Sequence, residues 1–75
     1  MSWGEPRNFV MKIHLNGTER DTAALTIAGL LEELRLPRQT VLVERNGEPV
    51  RRDEWEAAPV LAGDTIEVLR VAAGG

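Results

Sequence analysis

Residues 26–34 read Thr-Ile-Ala-Gly-Leu-Leu-Glu-Glu-Leu, and the spacing of their aliphatic side chains decides the architecture. Ile27, Leu30, Leu31 and Leu34 fall at i, i+3, i+4 and i+7, which lines them along one stripe of an α-helix with Glu32, Glu33 and Arg35 outside. Thr26 is placed to cap the N-terminus, and Leu25 and Leu30 to staple across that cap. Pro37 is expected to end the helix, because the residue before a proline avoids the helical region. Gly29 costs about 1 kcal/mol inside such a helix and is expected to mark close packing on a sheet.

Outward from this helix the period changes to two. Phe9, Met11, Ile13 and Leu15 alternate with Val10, Lys12 and His14, the pattern of a strand with one buried face. Asn16-Gly17 then suits the positive-φ hairpin turn, and Thr18–Thr22 reads as the returning strand. A strict two-residue turn sets Arg20 opposite Ile13 on the core face, where an unpaired guanidinium is costly. Either the loop is longer or Arg20 sits at the rim of the sheet.

On the C-terminal side, residues 41–44 form a short strand rich in β-branched residues, and Asn46-Gly47 repeats the hairpin signal before Val50. Residues 51–63 are irregular, with Trp55 as their one large apolar anchor; a loop with a short helical turn is expected. Strand character returns over 65–71. The order predicts an α+β, β-grasp (ubiquitin-like) domain over residues 9–71, a mixed sheet of four to five strands packed on one helix. Residues 1–8 are expected to be a disordered extension. Residues 72–75, Ala-Ala-Gly-Gly, offer no side chain large enough to bury, so a flexible C-terminal Gly-Gly tail is expected.

Composition narrows the function classes. A chain of 75 residues holds one domain, whose core contributes roughly 3–5 kcal/mol and leaves little room for a deep catalytic cavity. Cysteine is absent, which removes disulfides, thiolate metal sites and Cys nucleophiles and suits a reducing cytoplasm, the expected location. No segment is long and apolar enough for a membrane helix, and no basic-then-apolar leader is present, so neither membrane insertion nor export is expected. With a net charge of −3 and no basic stripe, nucleic acid is not an expected partner.

Four stretches taken together resemble a known family. Met11–Gly17 (MKIHLNG), the helix TIAGLLEEL, Asn46–Trp55 (NGEPVRRDEW) and Gly63–Gly75 (GDTIEVLRVAAGG) are similar to the bacterial sulfur carriers of thiamin biosynthesis, of the ThiS and MoaD type. Arg52-Asp53-Glu54-Trp55 after the second Asn-Gly, followed by Gly63-Asp64, is the most specific part. The tail departs from the commonest pattern in having Ala73 where many relatives carry a third glycine.

The resemblance implies a cycle centred on the carboxylate of Gly75. An adenylating, E1-like partner uses ATP to form an acyl-adenylate, a sulfur-donating enzyme supplies the sulfur that replaces AMP, and thiazole synthase draws on the resulting thiocarboxylate. ATP belongs to the partner, and no bound cofactor or metal is expected on the chain itself. The protein is then a cosubstrate and not an enzyme, monomeric when alone. Ala72, Ala73 and Gly74 would enter the partner's site, their small side chains suiting a narrow channel. Alternation places Leu69 and Val71 on the open face of the sheet, where Val10 and Leu42 are expected to join them as a partner-binding surface beside Arg70.

Other residues carry less. His14 is the sole histidine and lies on an outward strand face, so a triad or His-based metal site has no second member. Glu32, Glu33, Asp53, Glu54 and Glu56 fall on the helix exterior and a loop, reading as solvated carboxylates and not as an acid–base pair. Within the same mechanism, the alternatives are a carrier for molybdopterin or cysteine synthesis and a ubiquitin-like protein modifier. A different class is a plain β-grasp interaction domain whose glycine ending is incidental.

Overall fold

The computed structural model describes residues 10–71. Its elements are β1 (Met11–Leu15), β2 (Thr18–Thr22), α1 (Ile27–Leu34), a 3₁₀ turn (Arg38–Thr40), β3 (Val41–Arg45), β4 (Glu48–Val50), a second 3₁₀ turn (Arg52–Glu54) and β5 (Thr65–Arg70). The five strands make one sheet in the order β2-β1-β5-β3-β4. β1 and β5 run parallel and the other neighbours antiparallel, so the sheet is mixed and the fold is the expected β-grasp. The segment expected to precede the domain, residues 1–8, and the expected tail, residues 72–75, lie outside the described residues, as does Phe9.

The helix closes over one face of the sheet, and its apolar stripe makes the core. Ile27, Leu30 and Leu31 are buried against Ile13, Val41, Val43, Trp55, Val60 and Ile66, with Leu34 packed at the margin. Both Asn-Gly turns are two-residue turns in which asparagine and glycine alike take positive φ: 49° and 82° at Asn16-Gly17, 52° and 84° at Asn46-Gly47. This is the conformation that twists with its flanking strands. The strict turn does bring Arg20 opposite Ile13, and the rim resolves the conflict. β2 is an edge strand, and Arg20 reaches the helix flank, where it pairs with Glu33 at 3.6 Å. Its Nε is nevertheless buried without a partner.

Three local expectations at the helix are corrected. Leu25 is 75% exposed, so the staple to Leu30 does not form: the Leu25 carbonyl accepts from the amide of Val60 and its side chain faces outward. Gly29 does not approach the sheet; a Cβ there would meet the cap hydroxyl of Thr26 at 3.3 Å and Ala24 at 3.7 Å. The helix ends at Leu34, before Pro37 acts, because Arg35 takes a left-handed cap conformation. The amides of Arg35 and Leu36 then close on the carbonyls of Glu32 and Leu31 at 3.0 and 3.1 Å.

Backbone accounting explains the irregular stretch 51–63. The first amides of α1 have no partner within the helix. Thr26 Oγ1 accepts from Gly29, while the carbonyls of Ala58 and Trp55 accept from Ile27 and Ala28 at 3.0 and 2.9 Å. The crossover is thus shaped by the helix N-terminus it serves and not by a period of its own.

Asp64 organises the start of β5. Its buried carboxylate accepts from Arg45 Nε at 2.7 Å, the Leu61 amide at 2.8 Å and Asn46 Nδ2 at 3.1 Å. Burial alone would raise its pKa, but the hydrogen bonds from Arg45, Leu61 and Asn46 outweigh burial and hold the carboxyl below its ordinary value. A depressed folded-state pKa contributes stability that is complete above the unfolded value, about pH 4, and is lost as the pH falls through the lower folded one. Denaturant unfolding between pH 7 and pH 2 should therefore show an acid-side loss of stability that flattens in Asp64→Ala. That variant is itself expected to be less stable at pH 7 by about 1–3 kcal/mol, since three donors lose their acceptor.

Candidate functional site

The end of β5 is where the candidate tail leaves the domain. The ladder with β3 runs to the rung Val41↔Arg70, and one more backbone bond, from the Val71 amide to the Thr40 carbonyl at 2.8 Å, ties the chain beyond the strand. Val71 is the last described residue, so Ala72, Ala73, Gly74 and Gly75 are assigned no geometry.

Beside this root lies an apolar patch. Leu42 and Leu69 sit directly opposite each other on β3 and β5, each 49% exposed, and Val71 follows on the same face at 38%. Leu42 and Leu69 also line a groove of about 580 Å³ that continues over Pro49, Arg51, Arg52 and Asp53. The surface expected at the tail is thus brought together for Leu42, Leu69 and Val71, with exposed Arg70 between the last two in sequence. Val10 is not part of it. β1 and β5 are parallel with His14 beside Thr65, so Val10 lies upstream of that rung and Leu69 downstream, about 26 Å apart along the strands at about 3.3 Å per residue. Val10 shares the open face but occupies its far end.

Trp55 anchors the side of this region. Its ring is fully buried, its indole Nε1 donates to the Val50 carbonyl at 3.0 Å, and the guanidinium groups of Arg38 and Arg52 lie 5.2 and 6.0 Å from the ring centroid. Arg38 in turn meets Glu56 at 2.6 Å. The other carboxylates are occupied locally: Asp53 by Arg51, Glu54 by the Arg51 amide, Glu33 by Thr22, Ala23 and Arg20. Only Glu32 stands exposed on the helix without such a bond among the described residues. Asp53 and Glu54 both line a groove of about 520 Å³ with Arg45, Asn46 and Glu48, but each already bonds Arg51. His14 is exposed. No group of three or more His, Asp or Glu side chains is placed to hold a metal ion among the described residues, and none of the described helices is long and apolar enough to cross a membrane.

Sequence reasoning missed the structural role of the two turn asparagines. Asn16 Oδ1 accepts from the Val68 amide at 2.8 Å and its Nδ2 donates to the Val68 carbonyl at 3.2 Å, so one side chain extends the β1–β5 ladder after β1 has turned away. At the other end of β5, Asn46 Oδ1 accepts from the Thr65 amide at 2.9 Å, its Nδ2 donates to Asp64 at 3.1 Å, and its backbone N–H donates to the Thr65 carbonyl at 2.7 Å. Asparagine in both turns, where aspartate would also bend the chain, was the available signal: an amide can both donate and accept.

The described domain thus carries a backbone tether just past β5 and an exposed aliphatic pair beside it. The sequence profile of the ThiS family matches residues 13–75. The chain belongs to the ThiS family. A crystal structure of the thiamine biosynthesis protein ThiS from Geobacter metallireducens superimposes with a TM-score of 0.75 at 32% identity, covering 87% of this chain and all of that one. The solution structure of a thiamine biosynthesis protein from the same organism gives 0.72, covering 87% and 88%. Two curated relatives, both named thiazole synthase, are 38% identical in Paramagnetospirillum magneticum and 41% in Magnetococcus marinus, each over 66 residues. The chain spans 20% of the length of these two proteins and 87% of its own.

Proposed function

We propose that this ThiS-family chain is the sulfur carrier for thiazole formation in thiamin biosynthesis, with the Gly75 carboxylate as the group that is activated and loaded. The observation that carries the reading is the family match, which runs through the Gly-Gly ending on a fold whose sheet leads there. The names of the thiazole synthase relatives favour this pathway over molybdopterin or cysteine synthesis.

The chemistry explains the design. A carboxylate is a poor electrophile because its charge is shared over two oxygens. Attack of a Gly75 oxygen on the α-phosphorus of ATP expels pyrophosphate and forms an acyl-adenylate, in which that oxygen now belongs to AMP, a good leaving group. A sulfur nucleophile then adds to the acyl carbon and AMP departs, leaving the thiocarboxylate that thiazole synthase consumes. All three steps take place in partners. The chain's own contribution is reach and docking: from Arg70 the five remaining residues extend at most about 17 Å, enough to enter a buried site while the domain stays outside. Leu42, Leu69 and Val71 are the docking patch, and Arg70 is its charged neighbour. ATP is bound by the adenylating partner and the carrier acts as its cosubstrate.

The test is intact mass. After incubation with ATP, a sulfide source and an adenylating enzyme of the E1 type, the chain should gain about 16 Da, sulfur in place of oxygen. No gain, with an enzyme shown to adenylate another carrier, rejects the proposal.

A further inference from the structure

One side chain in the 3₁₀ turn after β4 bears on how the chain is held at Val71, the root of the tail. β3 and β4 pair from Arg45↔Glu48 to Val43↔Val50, and the same register continued by two residues would set position 52 opposite Val41. The backbone does not get there, because the chain turns away at Arg51 into the 3₁₀ turn. The side chain of Arg52 takes its place. Its Nη2 donates to the carbonyl of Gln39 at 2.9 Å and to that of Val41 at 3.3 Å, and the guanidinium rests 6.0 Å from the Trp55 ring centroid. Between those carbonyls in sequence, the Thr40 carbonyl points the other way and accepts the Val71 amide at 2.8 Å. The strip Gln39–Val41 is therefore held on one edge by Arg52 and holds on its other edge the residue from which the tail departs.

We infer that Arg52 is a positioning residue for the C-terminal tail, acting through Thr40 and Val71; the inference rests on the reading of Gly75 as the loaded group. Without Arg52 the first residues of β3 have no neighbour on their β4 side, and two carbonyls turn to water. The strip then frays, and the Val71 tether frays with it. The four residues beyond Val71 extend at most about 14 Å, so a change of angle at their root displaces the terminal carboxylate by several ångström. An adenylating enzyme would meet a less organised tail and bind it more weakly, while chemistry on the bound tail would be unchanged. Arginine suits the role because a planar guanidinium can lie along the indole and still donate to both carbonyls; lysine keeps the charge but not the plane.

The experiment compares the full chain with Arg52→Met, which keeps the length of the stem but no donor, and with Arg52→Lys. Amide hydrogen exchange in the isolated protein should show Val71 losing about tenfold of its protection in Arg52→Met. The amides of His14 and Asn16, which bond to the carbonyls of Asp64 and Ile66 within the sheet, should be unaffected. In ATP–pyrophosphate exchange with an E1-type adenylating enzyme, the KM for the carrier should rise about fivefold to tenfold at unchanged kcat, with Arg52→Lys in between. Unchanged Val71 exchange overturns the inference. So does a loss of protection at Val71 that His14 and Asn16 share, which would mean that Arg52 merely stabilises the fold. A wild-type chain that is never adenylated rejects the sulfur-carrier reading instead, and the Val71 exchange still decides whether Arg52 tethers the chain end.

Discussion

Removal of Gly74 and Gly75 is expected to abolish thiocarboxylate formation altogether while leaving the unfolding transition where it was. The two halves of this expectation have separate causes. Among the described residues the buried core runs from Ile13 to Ile66, and the last backbone bond is made by Val71. Two glycines beyond it remove no apolar side chain, and the expected change in stability lies within about 0.5 kcal/mol. The chemistry, by contrast, loses both the terminal carboxylate and about 7 Å of reach, at about 3.4 Å per residue. A new carboxylate on Ala73 would still exist, yet it would stop short of the reacting phosphorus and carry a Cβ that restricts φ. Intact mass after the loading reaction and a urea melt of the same sample check both halves. A truncated chain that still gains sulfur would show that the terminal position is not read. A chain that loses its melt would show that the tail serves the fold.

Trp55→Ala is expected to leave no stable fold at 37 °C. Large-to-small changes at a buried tryptophan cost about 3–5 kcal/mol, which is the size of the whole reserve of a domain this small. Here the loss is compounded. The ring is fully buried among Ile27, Val43 and Val60, its Nε1 bonds the Val50 carbonyl, and Arg38 and Arg52 both lie against it. Truncation would open a cavity, orphan a carbonyl and free the arginine that steadies the strip beside the tail. Circular dichroism melts should show Trp55→Ala unfolded or melting well below the wild type, and Trp55→Phe folded but weakened, since it refills much of the volume without the indole hydrogen bond. A cooperative Trp55→Ala melt at the wild-type temperature would mean that the core closes without it.

Much of this architecture was legible because its signals are local. The Ile27, Leu30, Leu31, Leu34 stripe, the Thr26 cap and the two Asn-Gly turns each need only a few neighbouring residues to be read, and each appears as expected. What escaped depends on partners distant in sequence. The exposure of Leu25 follows from its carbonyl's bond to Val60, the packing of Gly29 from the fold of Ala24 under the helix, and the place of Val10 from the parallel register of β1 on β5. A period of two says which face a residue takes but not where along the sheet it stands. That is why Leu42, Leu69 and Val71 stand together on the sheet and Val10 stands apart from them. Arg52 belongs to the motif that marks the family resemblance, but its two carbonyl partners lie 13 and 11 positions earlier and have no sequence signature.

The order of the strands has a consequence for how the carrier is made. β5 comes after every other described strand and yet stands at the centre of the sheet, between the β1–β2 hairpin and the β3–β4 hairpin. During synthesis those hairpins emerge first with nothing to join them, and a lone two-stranded hairpin is marginal in water. The keystone is the very strand that leads into the tail. A nascent chain halted before residue 65 therefore holds two loose ribbons and a helix, a target for proteolysis, and cannot persist as a folded decoy that docks on partners without a tail to offer them.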